Sequence, residues 1–230
     1  MKAYCIVMVG NAQSEAGFAK LKESHERVGN EFELHRWAAS TPGSHLREWW
    51  PREVEWCCLS DGNWVEEWGV QLKPYRSRVD EARRACFLSH YQLWEAVAES
   101  NEPALILEDD ALFVYKLQPK DVLEWGWQIT SINDPDGATR KAKQYHQSIQ
   151  RRPAKVCPVP RLDDDPTIPY GLPGASAYII TPKGALHAIG LTHTFGAWPN
   201  DALLCHQLCI GMLGCSTTYY TKVQGTPSSL

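Results

Sequence analysis

The sequence has no uninterrupted apolar run approaching the roughly 20 residues needed to cross a bilayer. Its opening, MKAYCIVMVGNAQ, has too short a greasy core for a signal peptide and no small-residue cleavage site. These absences lead to the expectation of a protein that stays in the cytoplasm of the producing or host cell. No two cysteines stand at CxxC spacing, which excludes the usual zinc framework and dithiol redox motif. Cys5, Cys57, Cys58, Cys86, Cys157, Cys205, Cys209 and Cys215 are therefore read as reduced, mostly buried thiols. Cys205, His206 and Cys209 have metal-like spacing, but no second ligand pair follows them. An excess of one charge is missing too. With 23 Lys and Arg against 27 Asp and Glu, the net charge of -4 gives no global pull towards nucleic acid or an anionic membrane. A Gly-rich loop carrying Lys or Arg is absent near the start, which weighs against a nucleotidyltransferase.

What is present suits one globular domain over residues 1–230, at 43% hydrophobic and 22% charged. AYCIVMVG (3 to 10) is a β-branched apolar run closed by Gly10-Asn11, as in a buried parallel strand entering a tight loop. A polar helical stretch spans 14 to 28, and FELHRWAAST (32 to 41) reads as a second strand. Strand, helix and strand at this spacing predict an α/β fold with a mostly parallel sheet. Residues 43–75 hold five of the ten tryptophans without a clean period and are read as an irregular insertion. From Asp80 to Ser100, Phe87, Tyr91, Trp94 and Ala98 recur at helical spacing, with Ser89 and His90 flanking the stripe. Pro103 ends that helix, and ALIL leads straight into Glu108, Asp109 and Asp110.

Residues 134–170 read as a basic and proline-rich surface loop. Arg140, Lys141, Lys143, Arg151, Arg152, Lys155 and Arg161 stand there with no acid among residues 140–161, and six prolines between 153 and 173 oppose regular structure. DDDP (163 to 166) follows. GASAYIIT (174 to 181) predicts another strand, and Thr181 with Pro182 opens a helix. PNDALLCHQLCIGML (199 to 213) predicts a further helix, with Asn200 as its cap and Asp201 in its first turn.

Three consecutive carboxylates at the end of a buried element repel one another and resist desolvation, so a positive partner is expected. The first and third project to the same side and suit an oxygen-ligated divalent cation, Mg²⁺ or Mn²⁺. Such a cation favours transfer of a group off a nucleoside diphosphate. The plain alternative is a solvated strand end.

ACFLSHYQLWEAVAESNEPALILEDDALF (85 to 113) resembles the central signature of glycosyltransferase family 25, a Leu-Ser-His helix leading into a Leu-Glu-Asp-Asp strand end. GASAYIITPKGA (174 to 185) and PNDALL (199 to 204) resemble the next two blocks of that family, in order. Where many members carry Glu-Gly, this chain has Arg84-Ala85. The resemblance implies a GT-A type, Rossmann-like domain that binds a UDP-sugar, UDP-glucose or UDP-galactose, with Mn²⁺ or Mg²⁺. It implies inverting transfer of a hexose to a hydroxyl of a glycan or protein. By position it assigns Glu108 and Asp110 to the metal and donor, with Asp109 nearby. Asp201 becomes either a further metal ligand or the general base, against the plain reading of a charge on a helix dipole. The same resemblance puts Ser89 and His90 near the donor phosphates or sugar, and Gly10, Asn11, Ala39 and Thr41 around the nucleotide. Gly174 and Ser176 bring backbone near the donor sugar.

The cations of residues 140–161 lie outside the resemblance. They suit either a solvated surface or the phosphates of a nucleic acid, so a hydroxylated-base DNA joins the glycan and protein acceptors. A transferase-like scaffold that binds sugar nucleotide or nucleic acid without turnover is the rival reading.

Overall fold

The computed structural model describes residues 1–56, 63–65, 70–72, 80–162 and 165–225. A seven-stranded sheet forms the centre, in the order β2 (Leu34–Ala38), β1 (Lys2–Val7), β5 (Ala104–Glu108), β9 (Ala177–Ile180), β7 (Ile129–Ser131), β10 (Leu213–Ser216) and β8 (Val156–Pro158). β1 runs parallel to β2 and β5, and β7 parallel to β10, whereas β9 is antiparallel to both β5 and β7 and β8 to β10. Five strands thus share one direction, the mostly parallel sheet that the strand-helix-strand spacing predicts. The reversed β9 is the part that its continuous apolar run does not reveal, since both faces are buried in either direction.

Strand alternation sorts the core into two layers. Ala3, Cys5, Val7, Leu105, Leu107, Ala177 and Ile179 face the layer beneath α1 (Ala12–Arg27). Ala104, Ile106, Tyr178 and Ile180 face the other layer, under α3 (Asp80–Ser100) and α6 (Pro182–Phe195). A period of two residues produces this division. α3 follows its predicted span, and Phe87, Tyr91 and Trp94 are buried along it. α1 starts where Asn11 accepts hydrogen bonds from the amides of Gln13 and Ser14. α6 starts with Thr181 accepting from Gly184 N and Pro182 in its first turn.

Elsewhere the local signals gave way. The supposed irregular loop 140–161 contains α5 (Ala142–Gln150) and strand β8. Tyr145 and Ile149, four apart, bury one stripe of α5 among exposed polar neighbours. β8 tolerates Pro158 because it is the last strand of the sheet, where one edge needs no ladder partner. The predicted helix 199–213 stops after one turn, α7 (Asn200–Leu203). Pairing wins there: Gly171 bridges Cys205, and His206 N donates to Tyr170 O. Gly171 permits this approach, since a Cβ on it would lie 2.1 Å from Leu204 O. Asn200 is not the cap, a place taken by Pro199, and its Oδ1 accepts from Cys86 Sγ instead.

Three smaller features complete the chain. In the Trp-rich segment, α2 (Ser44–Trp49) and a hairpin of β3 (Asn63–Val65) and β4 (Val70–Leu72) are described, so part of that insertion is regular. Its remaining residues 57–62, 66–69 and 73–75, with Cys57, Cys58 and Trp68, lie outside the described residues, as do Asp163 and Asp164. α4 (Lys120–Leu123) follows β6 (Ala111–Phe113), which pairs antiparallel with β11 (Thr221–Val223). No helix among the described residues is long and apolar enough to cross a membrane.

Candidate active site at the carboxyl end of β5

Alternation along β5 points Ala104 and Ile106 at α3, and Glu108, the next residue of that parity, meets the same helix. Its Oε1 lies 3.2 Å from His90 Nε2. On the other side of the imidazole, Nδ1 is 2.8 Å from the Tyr178 hydroxyl, which accepts from Trp94 Nε1 at 2.9 Å. His90, Trp94 and Tyr178 are fully buried, whereas the Glu108 side chain is 31% exposed, so this chain runs from the core to an open carboxylate. Glu108 N donates to Ser176 O at 2.9 Å, which fixes the strand end from the β9 side.

Asp109 and Asp110 form the turn into β6. Burial pushes the Asp110 carboxyl up to about 7, and the charges of Glu108 and Asp109 push the same way. Its Oδ1 is shielded from solvent and has no hydrogen-bond partner. The turn itself is clamped from two sides. Gln224 Nε2 donates to the carbonyls of Gly17 and Asp109 at 3.0 Å each, and Gln224 N donates to Asp110 O at 2.7 Å. A Cβ on Gly17 would lie 2.5 Å from Asp109 O, so only glycine lets α1 come this close. Neither Gly17 nor Gln224 stands out in the sequence, because each acts through one long-range contact.

Asp201 arrives from α7. Burial raises its pKa, the Glu108 charge adds to that, and Arg83 opposes it. Its Oδ1 also lacks a partner and is out of reach of solvent. Cys86 is a site residue for which the sequence offers no signal, being one thiol on the helical stretch. Its sulfur, a ring nitrogen of His90 and a Glu108 oxygen lie within 4.8 Å of one another. Burial first, then the charges of Glu108 and Asp201, hold its thiol well above the usual range, so it remains protonated. The Cys205, His206 and Cys209 spacing does not become such a cluster among the described residues.

The remaining expected residues group by the strand ends. Gly10, with φ +81°, and Asn11 follow β1, and Ala39 and Thr41 follow β2. Ser89 is spent inside the protein: its hydroxyl donates to Ala85 O and accepts from Ser40 N, tying the loop after β2 to α3. Gly174, at φ +99°, turns the chain where a Cβ would meet that of Ala138 at 2.6 Å. Of the basic residues, Arg151, Arg152 and Lys155 are exposed near the β8 edge of the sheet. Lys141, at the start of α5, sits 4.9 Å from the centre of the Tyr170 ring.

A cleft of about 670 Å³ opens along the first turns of α3, lined by Gly43, Leu46, Trp50, Val54, Trp56, Glu81 and Arg84. Trp50 and Trp56 meet edge to face at 6.0 Å, and Arg84 lies 5.5 Å over the Trp56 ring. Trp56 forms a bridge with Ala197, four residues before Asp201.

An acid cluster at the carboxyl end of a strand in a Rossmann-like sheet is the arrangement of a GT-A type fold, and LgtC shares that fold. An active-site mutant of LgtC aligns with a TM-score of 0.50 and 13% identity, covering 99% of this chain and 88% of that one. Galactosyltransferase LgtC in complex with donor and acceptor sugar analogs gives 0.50 and 12% over the same shares. GlyE of Streptococcus pneumoniae TIGR4 gives 0.43 and 10%, over 93% of this chain and 44% of that one. No curated protein matches the sequence. The family model for glycosyltransferase family 25 (LPS biosynthesis protein) matches residues 69–204, more than half of the chain. The chain belongs to that family and is a glycosyltransferase.

Proposed function

We propose that the protein transfers a hexose from a UDP-sugar, UDP-glucose or UDP-galactose, to an acceptor hydroxyl with inversion, using Mn²⁺ or Mg²⁺. The observation that carries this reading is the pair of shielded, unpartnered carboxylate oxygens, Asp110 Oδ1 and Asp201 Oδ1, gathered with Glu108. Carboxylates with shielded, unpartnered oxygens fit a hard divalent cation. Glu108, Asp110 and Asp201 would hold it, with Asp109 beside them. When bound, the cation neutralises charge that develops on the departing diphosphate.

The other residues have roles of their own. Gly10, Asn11, Ala39 and Thr41 shape the nucleotide site at the ends of β1 and β2, where ligands bind in open α/β sheets. Ser89 holds that loop through Ser40, the Ser176 carbonyl fixes the Glu108 amide, and Gly174 turns the chain that leads to it, bringing backbone beside the donor sugar. A carboxylate must accept the proton of the acceptor hydroxyl, and Asp201 is that base if it is not spent on the cation. Burial raises its pKa, which makes it a stronger base than an exposed aspartate. The hydroxyl oxygen then bonds to the anomeric carbon as the bond to UDP breaks on the opposite face.

For the acceptor, the cleft walled by Trp50 and Trp56 supports a sugar, free or protein-borne, because aromatic faces pack against the apolar face of a pyranose. A hydroxylated DNA base gains no comparable support, since Arg151, Arg152 and Lys155 gather near the outer sheet edge.

The test is UDP release from UDP-glucose, UDP-galactose and their N-acetyl forms with Mn²⁺. One donor is expected to turn over and to stop in excess EDTA, and Asp110→Asn is expected to lose at least about a hundredfold in rate. Undiminished activity in EDTA or in Asp110→Asn sinks the metal reading. A scaffold without turnover would release no UDP from any donor.

A further inference from the structure

We infer that Trp94, Tyr178 and His90 form a one-way hydrogen-bond chain whose task is to hold one oxygen of Glu108, leaving its other oxygen aimed at the cation. The inference rests on the metal-dependent reading above and adds positioning residues to it. Hydrogen-bond bookkeeping sets the direction. An indole N–H can only donate, so Trp94 Nε1 gives its hydrogen to Tyr178 Oη. The buried Tyr178 hydroxyl must then place its own hydrogen, and the acceptor within reach is His90 Nδ1 at 2.8 Å. With Nδ1 accepting, the imidazole carries its hydrogen on Nε2, which donates to Glu108 Oε1 at 3.2 Å.

The opposite tautomer fails twice. It would strand the Tyr178 O–H in a fully buried place, and it would set the bare Nε2 lone pair against a carboxylate oxygen. The arrangement also accounts for a feature the sequence left open, a histidine that is fully buried beside the acidic turn and does not face the cleft. Ring packing supports the geometry: the His90 and Tyr178 planes are within 15° of parallel at 5.8 Å. Tyr178 comes from β9 in the sheet and His90 from α3, which packs on the same face of it. Tyr178 is registered opposite Ile106 on β5, two residues before Glu108, so strand pairing sets the spacing of the chain. A carboxylate with one oxygen fixed has lost the rotamer freedom that ligation otherwise removes, and supporting contacts of this kind commonly change metal affinity by about 10–100-fold.

Two measurements test this. The first is the long-range ¹⁵N–¹H spectrum of the metal-free wild-type protein with labelled histidine. His90 is expected as the Nε2–H tautomer, and an Nδ1–H tautomer overturns the chain. The second is Mn²⁺ binding in the presence of UDP, read from the EPR signal of free Mn²⁺. Tyr178→Phe is expected to weaken Mn²⁺ binding by about tenfold while UDP binding without metal stays unchanged. His90→Gln, which keeps an N–H for Glu108, is expected to recover part of the affinity that His90→Leu loses. Should Tyr178→Phe fail to fold, the tautomer measurement and the His90 pair decide. If wild type takes up no Mn²⁺ with UDP, the proposed function and this inference fall together. If Asp110→Asn abolishes uptake but Tyr178→Phe and His90→Leu match wild type, the inference alone falls.

Discussion

His90 Nε2 stands 3.2 Å from Glu108 Oε1, joining the middle of a 21-residue helix to the last residue of the interior strand β5. The contact makes the acidic turn continuous with the core, because the same ring reaches Tyr178 and, through it, Trp94. Tyr178→Phe removes the hydroxyl that accepts from the Trp94 indole and leaves that N–H buried without a partner. A cost of about 1–3 kcal/mol is expected, read by urea unfolding at pH 7.5. A change below about 0.5 kcal/mol would show that the indole finds another acceptor.

Two helical glycines separate propensity from contact. In an open position, Gly→Ala stabilises a helix by roughly 1 kcal/mol. Gly190 in α6 has open space where a Cβ would stand, with no neighbouring atom within 4 Å, so Gly190→Ala is expected to raise the melting temperature. Gly17→Ala puts a methyl 2.5 Å from Asp109 O and is expected to lower it, and to weaken Mn²⁺ retention by moving the turn. Equal effects of the two substitutions would contradict the close approach of α1 to the acids.

His25 supplies a pH dependence away from the acids. It packs between Phe32 and Phe113 at 4.9 and 5.6 Å, and its Nε2 has no partner. Burial lowers its pKa, against smaller opposing effects of the Phe32 backbone and Glu26. The unfolded chain therefore binds the proton more readily. The stability that His25 contributes is complete above its unfolded pKa of about 6.5 and is lost as pH falls through the lowered folded value. Comparing wild type with His25→Phe at pH 7.5 and 5.5, the loss on acidification is expected to be smaller in the variant. An equal loss in both refutes the assignment.

Metal binding should appear as stability. A ligand at about 100 times its Kd adds about 2.7 kcal/mol, which for a chain of this size raises the melting temperature by roughly 5–10 °C. Mn²⁺ with UDP is expected to give such a rise in wild type and little in Asp110→Asn. A similar rise in both would place the cation elsewhere.

Much of this was legible from local pattern. The 3–10 run, the stripe of Phe87, Tyr91 and Trp94, and the sequence ALILEDD each announced an element, because burial on one or both faces leaves a direct trace, although the first strand ends at Val7. The same logic placed Glu108, Asp109 and Asp110 at a carboxyl strand end. It failed for α5, where only Tyr145 and Ile149 mark the buried stripe, and for the segment after Leu203, where pairing with Gly171 overrode helix-forming residues.

The sequence by itself determined the family, the acid triplet and the strand that presents it, since these depend on residues adjacent in the chain. The tertiary structure alone decided which distant groups serve that triplet. Gly17, Cys86 and Gln224 reach it from widely separated segments and Tyr178 reaches it through His90, whereas His90 and Asp201 were already expected near it from the family resemblance. The physical reason is that a hydrogen-bond partner or a missing Cβ matters only once packing has brought two surfaces together, and one-dimensional spacing carries no record of that approach.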